Sequence, residues 1–97
     1  MDRTEIKEYN PKGKLTQNNN VSWLKNDILK VIHNNSISHI IIDMSEISFI
    51  DSCGISMIVK MFKECRKNTI FFSLKKCKKN VKIIFELLKL DLIIPIT

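Results

Sequence analysis

A carboxylate, a hydroxyl and a thiol stand side by side at Asp51, Ser52 and Cys53, directly before Gly54. Asp and Ser oxygens accept hydrogen bonds from the free backbone N–H groups at a helix start, and apolar residues at helical spacing follow immediately. The segment Asp51–Gly54, called the helix mouth below, is therefore predicted to open a helix, with the Ser52 hydroxyl engaged as the cap. The remaining reactive group is the Cys53 thiol.

The predicted helix has two faces. Four apolar side chains recur at the i, i+3, i+4, i+7 spacing of a buried stripe: Ile55, Ile58, Val59 and Phe62. At roughly 100° per residue, a second set projects to the opposite side: Cys53, Met57, Lys60 and Glu64, with Met61 at its border. A partner protein could contact this outward strip.

The candidate nucleophile lacks the companions that catalysis requires. A catalytic Cys needs a base and an oxyanion site, and the sequence gives no reason to place His33 or His39 near Cys53. The chain has three cysteines without CxxC spacing and only two glycines, so neither a zinc site nor a glycine-rich phosphate loop is indicated. We expect no catalytic residue, no cofactor and no metal site, and we expect the thiols to be reduced.

Buried strands alternate with helices from residue 37 onward. The β-branched run Ile40–Ile42 predicts a strand covered on both faces, which Asp43 closes as a loop-capping carboxylate before a short loop to the helix mouth. Residues 69–74 predict a second buried strand. This alternation favours an α/β sheet with parallel neighbours joined by right-handed crossovers.

Two further helices flank this core. Asn20 is a credible N-cap for an amphipathic helix that ends near His33, and Asn80 is predicted to cap the last helix. The apolar positions of the first helix are Val21, Leu24, Ile28, Val31 and Ile32. Those of the last helix are Val81, Ile84, Phe85 and Leu88.

The segments Ile40–Ser45 and Ile47–Ile55 together resemble the signature of the STAS family, the sulfate-transporter and anti-sigma-factor-antagonist domains. In that family a buried strand ends in Asp, a short loop follows, and an Asp-Ser-Ser-Gly-Leu-like segment opens a helix. The resemblance implies a small α/β STAS-like domain, with a mixed β-sheet of about four strands and a parallel β-α-β core. We expect residues 1–97 to form this single domain, with residues 1–12 as a shortened strand or a flexible segment.

The resemblance also implies a function. Bacterial anti-sigma factor antagonists dock through the helix mouth on an anti-sigma factor kinase, which phosphorylates the second Ser of the motif. Here the corresponding docking residues are Asp51, Ser52, Cys53, Gly54, Ile55, Met57 and Lys60. The expected function is a non-enzymatic regulatory binding module whose partner is an anti-sigma factor or a related regulatory kinase. The alternative is a STAS subunit of a membrane lipid or anion transport complex.

Cys53 stands where the family has its phosphorylated Ser, and a thiol cannot act as a serine phosphoacceptor. Three interpretations follow. Cys53 can be a small packing residue in a module that binds constitutively, or a redox-responsive replacement for the switch, because helix N-termini favour thiolates. Alternatively, Ser52 takes the phosphate instead.

The net charge of +6 is concentrated toward the C-terminus. Residues 60–97 carry 10 basic and 3 acidic side chains, against 6 and 7 in residues 1–59, and the densest cluster is Lys75–Lys79. No aromatic side chain interleaves these lysines, so we interpret them as a solvated loop and helix start and expect no nucleic-acid partner. Met1–Ile6 lacks the apolar core of a signal peptide and no apolar run is long enough to span a bilayer, so a cytoplasmic location is expected.

Overall fold

The computed structural model describes residues 3–97 as strands and helices in alternation. The strands are β1 (Glu5–Tyr9), β2 (Gly13–Leu15), β3 (Ile37–Asp43), β4 (Ile47–Ile50) and β5 (Phe71–Lys75). The helices are α1 (Val21–Ile32), α2 (Ser52–Lys67) and α3 (Lys79–Leu87), followed by a 3-10 turn at Leu90–Leu92.

The strands of the described residues pair in parallel and form two separate sheets. One has the order β1-β3-β5 and the other joins β2 to β4. The predicted α/β class is confirmed, although five strands in parallel ladders replace the expected mixed sheet of about four. Strand β4 was not predicted: its inner residues, Ser48 and Phe49, are exposed while both of its ends are buried, so the segment lacks the alternation typical of a strand.

The N-terminal strands are both present, and β2 is short at three residues. The shortened strand is thus β2 rather than a segment within residues 1–12, and positions 1 and 2 lie outside the described residues. Four of the five β1 side chains are exposed, and Tyr9 is buried. The Tyr9 hydroxyl donates a hydrogen bond to the Asp27 carboxylate of α1 at 2.6 Å, which ties this edge strand to the helix above it.

One face of the three-stranded ladder is covered, and the other is open. Ile40 and Ile42 are fully buried on the face against which α1 and α2 pack. Successive side chains of a strand point to opposite faces, and Ile41 on the other face is only half-buried. The predicted coverage of both faces of this strand is therefore wrong.

The buried arc of α2 also differs from its predicted stripe. Met57 is only 4% exposed and Met61 is fully buried, whereas Ile55 and Val59 are half-buried. The reason is that α1 packs along α2, so the helix is covered from the α1 side as well as by the strands. The prediction that Met57 points outward is thus wrong, while its part in docking stays a prediction.

The start of α3 corrects another prediction. Lys78 occupies the N-cap position without a side-chain cap hydrogen bond, so Asn80 is not the cap. The Asn80 Nδ2 instead donates to the Ser48 carbonyl at 3.0 Å, which joins α3 to β4. Of the predicted apolar face of α3, Val81 and Phe85 are buried and Ile84 is half-buried, whereas Leu88 is exposed.

Candidate functional site

Asp51 forms the cap of α2 at the helix mouth. Its backbone is extended, and its Oδ1 accepts a hydrogen bond from the Gly54 backbone N–H at 3.0 Å. Ser52 is the first helical residue, and its side chain is exposed. The expectation that the Ser52 hydroxyl is engaged as the cap is wrong, because the carboxylate one residue earlier already fills that role.

Gly54 lets β2 approach the first turn of α2. A Cβ at this position would lie 2.2 Å from the Leu15 carbonyl oxygen and 2.8 Å from Cγ1 of Ile50. The Asp51 N–H donates to the same Leu15 carbonyl at 3.3 Å, so the end of β2 sits directly against the helix mouth. The signal in the sequence is a glycine in the first turn of an otherwise periodic helix, since glycine disfavours helices unless close packing requires it.

Cys53 is half-buried beside this contact. Its Sγ lies 3.8 Å from Oε1 of Gln17, at the limit of a weak S–H···O hydrogen bond. All three cysteines are free thiols. Burial raises the pKa of Cys65 to about 12 and the pKa of Cys77 to about 11, so these two thiols are unreactive near neutral pH.

A groove of about 360 Å³ runs along the surface from Cys53 between α1 and α2. Its lining residues, which define the α1–α2 groove, are Gln17, Val21, Lys25, Ser52, Cys53, Ser56, Met57 and Lys60. Ser52, Cys53 and Lys60 from the predicted docking set are therefore brought together, and Met57 contributes only to the floor. Ile55 instead lines a neighbouring depression with Ser56, Val59, Lys60 and Lys63.

Four groove residues escaped the sequence analysis: Gln17, Val21, Lys25 and Ser56. Ser56 could have been found, because it lies four residues after Ser52 and hence on the same side of the helix. The others belong to the loop before α1 and to α1 itself. Asn20, at a positive φ of 71°, holds that loop by donating from Nδ2 to the Lys14 carbonyl at 2.6 Å and the Lys12 carbonyl at 2.8 Å.

Asp43 lies at the carboxyl end of β3 and is 6% exposed. Its Oδ1 accepts a hydrogen bond from the Ser45 backbone N–H at 2.9 Å, which confirms the predicted loop cap. This hydrogen bond, assisted by Lys76 and Lys75, lowers the pKa of Asp43. Lys75 ends β5 and its Nζ pairs with Glu8 at 2.9 Å, and the other lysines of the Lys75–Lys79 cluster occupy the predicted loop and helix start.

Among residues 3–97, no group of three or more His, Cys, Asp or Glu side chains is arranged to hold a metal ion. Over the same residues, the longest helices fall short of the length and hydrophobicity that a membrane span requires. The chemistry that the site offers is that of a contact surface: an exposed hydroxyl, a half-buried thiol and two lysines around a partly apolar groove.

Comparison with known proteins places this geometry in a family. The model of the STAS domain matches residues 3–97. The anti-sigma factor antagonist SpoIIAA in its unphosphorylated form shares 20% identity at a TM-score of 0.72, with 90% of this chain and 78% of that chain covered. A candidate anti-sigma factor antagonist from Thermotoga maritima shares 22% identity at a TM-score of 0.83, with 94% and 77% covered.

The similarity extends to transporters. The STAS domain of a SulP transporter from Vibrio cholerae has a TM-score of 0.76 at 14% identity, with 93% of this chain and 68% of that chain covered. At such identities these structures establish the fold that is shared, and the family match covers nearly the whole chain. The chain belongs to the STAS domain family.

Proposed function

We propose that this STAS domain, acting as a single non-enzymatic module, binds an anti-sigma factor or a related regulatory kinase through the helix mouth Asp51–Gly54. The observation that carries the proposal is the way the mouth is built. Asp51 and Gly54 are engaged in the cap and in packing against β2, while Ser52 is exposed and Cys53 is half-exposed beside it. A well-packed helix start that presents its first two residues, Ser52 and Cys53, suits recognition by another protein.

The Cys53 side chain determines how such a contact is regulated. A phosphate at this position would bring roughly −1.5 to −2 charge into the contact surface, but a thiol is not a serine phosphoacceptor. Neither of the other two cysteines is bonded to Cys53. In this proposal neither a phosphate nor a disulfide at position 53 regulates the contact, so binding is constitutive.

Kinase treatment followed by phosphosite mapping tests this. The protein is incubated with the captured regulatory kinase and ATP, alongside the Cys53→Ser variant and the double variant Cys53→Ser/Ser52→Ala. We expect no phosphate on the unaltered protein, and phosphate at position 53 in both variants. Stoichiometric phosphate on Ser52 of the unaltered protein, or binding that changes with added thiol reductant, would contradict constitutive binding.

A second candidate function is supported by a different surface. Five large apolar side chains are exposed on and after α3, with Leu87 and Leu92 about three-quarters exposed: Ile83, Leu87, Leu88, Leu92 and Ile93. Apolar surface of this kind is more typical of permanent subunit contacts than of transient ones. It fits a STAS subunit of a membrane lipid or anion transport complex.

Copurification separates the two candidates. Stable capture of an ATPase and a permease, lost in a Leu87→Ser/Leu92→Ser variant and kept in a Phe49→Ser control, would favour the transport complex. Phe49 is a suitable control because it is similarly apolar and 51% exposed, but belongs to β4. Capture of a soluble regulatory kinase by the unaltered protein and equally by both variants would favour the helix-mouth proposal.

A further inference from the structure

We propose that the α1–α2 groove binds an acidic segment of the partner protein, with an apolar side chain on the groove floor and carboxylates facing Lys25 and Lys60. The inference rests on the proposed function, because it names the chemistry of the partner that meets the helix mouth. It also extends the docking surface from α2 to α1.

Two lysines from different elements converge on the groove. Lys25 comes from α1 and is half-buried, and Lys60 comes from α2 and is exposed. Neither forms an ion pair with any Asp or Glu of residues 3–97. Asp and Glu are also absent from the described lining of the groove, so its positive charge has no internal counter-charge.

The helix mouth contributes little net charge to the groove. The first turn of α2 contains no acidic residue, and the one nearby carboxylate, Asp51, accepts a hydrogen bond at the cap. The N-terminus of a helix carries partial positive charge. The Asp51 carboxylate offsets that partial charge, so the attraction of the groove for anionic groups comes from Lys25 and Lys60.

The floor requires that the occupant also be apolar. Val21 is half-buried and Met57 is 4% exposed, and both line the groove. Methionine is flexible and polarisable, so it packs against apolar side chains of different shapes. An amphipathic acidic segment satisfies both the floor and the flanking lysines.

The charges do not favour a second copy of this chain as the occupant. The protein has a net charge of +6 at pH 7, so two copies repel each other in addition to the lysines that would meet at the groove. An acidic partner gains from the same charges by faster association and by desolvated contacts with the two lysines.

Titration of the isotope-labelled protein with designed peptides tests the groove directly. Three short peptides share a central Leu-Leu pair and carry Glu, Gln or Lys at the same flanking positions. We expect the Glu peptide to shift amide resonances around the groove, the Gln peptide to bind about fivefold more weakly and the Lys peptide not to bind. Amide shifts confined to residues 75–82, or no shifts at millimolar Glu peptide, would overturn the proposal.

Matched variants identify the lysines. Lys25→Gln/Lys60→Gln should weaken the Glu peptide about tenfold, whereas Lys30→Gln/Lys79→Gln removes the same charge from exposed positions outside the groove and should leave its affinity unchanged. Equal weakening by both pairs would show a general charge effect and overturn the proposal. Sedimentation of the unaltered protein and of each variant without peptide measures their oligomeric state. A dimer that depends on Lys25 and Lys60 would show a second copy in the groove and would also overturn the proposal.

The same variants distinguish failure of this inference from failure of the proposed function. If a regulatory kinase is captured but Lys25→Gln/Lys60→Gln leaves its affinity unchanged, the groove inference fails and the helix-mouth function stands. If no such kinase is captured but the Glu peptide binds in a manner dependent on Lys25 and Lys60, the groove inference stands for another acidic partner.

Discussion

The two helices α2 and α3 start in opposite ways. The Asp51 carboxylate caps α2, and the chain packs so closely there that position 54 has no room for a Cβ. In contrast, α3 begins after Lys78 with no side-chain cap and with Lys79 in its first turn, which places positive charge at the positive end of the helix dipole. What stabilises the start of α3 is tertiary contact, through the Asn80–Ser48 hydrogen bond and the buried Val81.

This contrast separates a helix start that local interactions stabilise from one that tertiary packing stabilises. At α2, the cap hydrogen bond and the backbone contact with β2 position the exposed Ser52 and the half-buried Cys53. At α3, the unfavourable local charges are tolerated because packing supplies the stability. Substitutions at Gly54, Asp51 and Lys78 test the contrast, from the largest expected effect to the smallest, and a fourth at Asp43 tests a cap outside the two helices.

Gly54→Ala should be strongly destabilising. The added Cβ would lie 2.2 Å from the Leu15 carbonyl oxygen, a backbone atom that cannot rotate away. We expect a loss of about 3 kcal/mol in the free energy of unfolding, despite the better helix propensity of Ala. Urea denaturation measures the loss, and Ser56→Ala, at an exposed position of the same helix, should change stability by no more than about 0.5 kcal/mol. A neutral Gly54→Ala would show that β2 does not press on the mouth.

Asp51→Ala should remove the cap of α2. The Gly54 N–H then loses its acceptor, and such losses typically cost about 1 kcal/mol. Asp51→Asn is the matched control, because its amide oxygen can accept the same hydrogen bond and should retain most of the stability. If both variants unfold at the same urea concentration, the charge of Asp51 rather than its cap hydrogen bond stabilises the helix.

Lys78→Asp should stabilise the protein, since it supplies α3 with the acceptor that α2 already has. The backbone at position 78 has φ −64° and ψ 151°, the extended conformation that an N-cap residue needs. We expect a gain of about 1 kcal/mol, measured by thermal unfolding. Lys78→Ala removes the charge without adding an acceptor and should raise stability by only a few tenths of the gain from Lys78→Asp. Equal gains from the two variants would assign the effect to removal of the charge alone.

Asp43 should give the smallest effect, visible as a pH dependence. The hydrogen bonds from Ser45 and the nearby lysines lower the pKa of Asp43 in the folded protein. The ionised carboxylate thus stabilises the fold above its ordinary pKa of about 3.9, and this contribution is lost as the pH falls through the lowered value. Urea unfolding between pH 6 and pH 3 should show a shallower decline for Asp43→Asn than for the unaltered protein. Parallel curves would contradict the assignment.

The start of α2 was predicted correctly, whereas the orientation of Met57 and the role of Asn80 were not, and the range of the interactions explains the difference. The helix mouth was found because cap residues and apolar spacing act within a few residues of each other. The outward orientation of Met57 was wrong because α1, more than twenty positions earlier in the chain, covers that side of the helix. Similarly, Asn80 has the composition of a cap but bonds to Ser48, whose carbonyl is available only because β4 lies beside α3.

The strands β2 and β4 were hard to predict for the same reason: each depends on a partner that is distant in the sequence. Residues Ile47–Ile50 become a strand by pairing with Gly13–Leu15, a segment too short to indicate a strand on its own. The pairing also places Leu15 against Gly54, so the helix mouth depends on a strand that local pattern hardly reveals.

By itself the sequence determined the order of the main elements, the α/β class and the position of the helix mouth. Periodicity, capping preference and a motif are properties of neighbouring residues, so they can be recognised without knowledge of the fold. Only the tertiary structure decided that Asp51 rather than Ser52 is the cap, that Met57 is buried, and that Lys25 and Lys60 line one groove. Those features depend on which distant segments pack together, because burial and charge pairing are set by neighbours in space rather than in the chain.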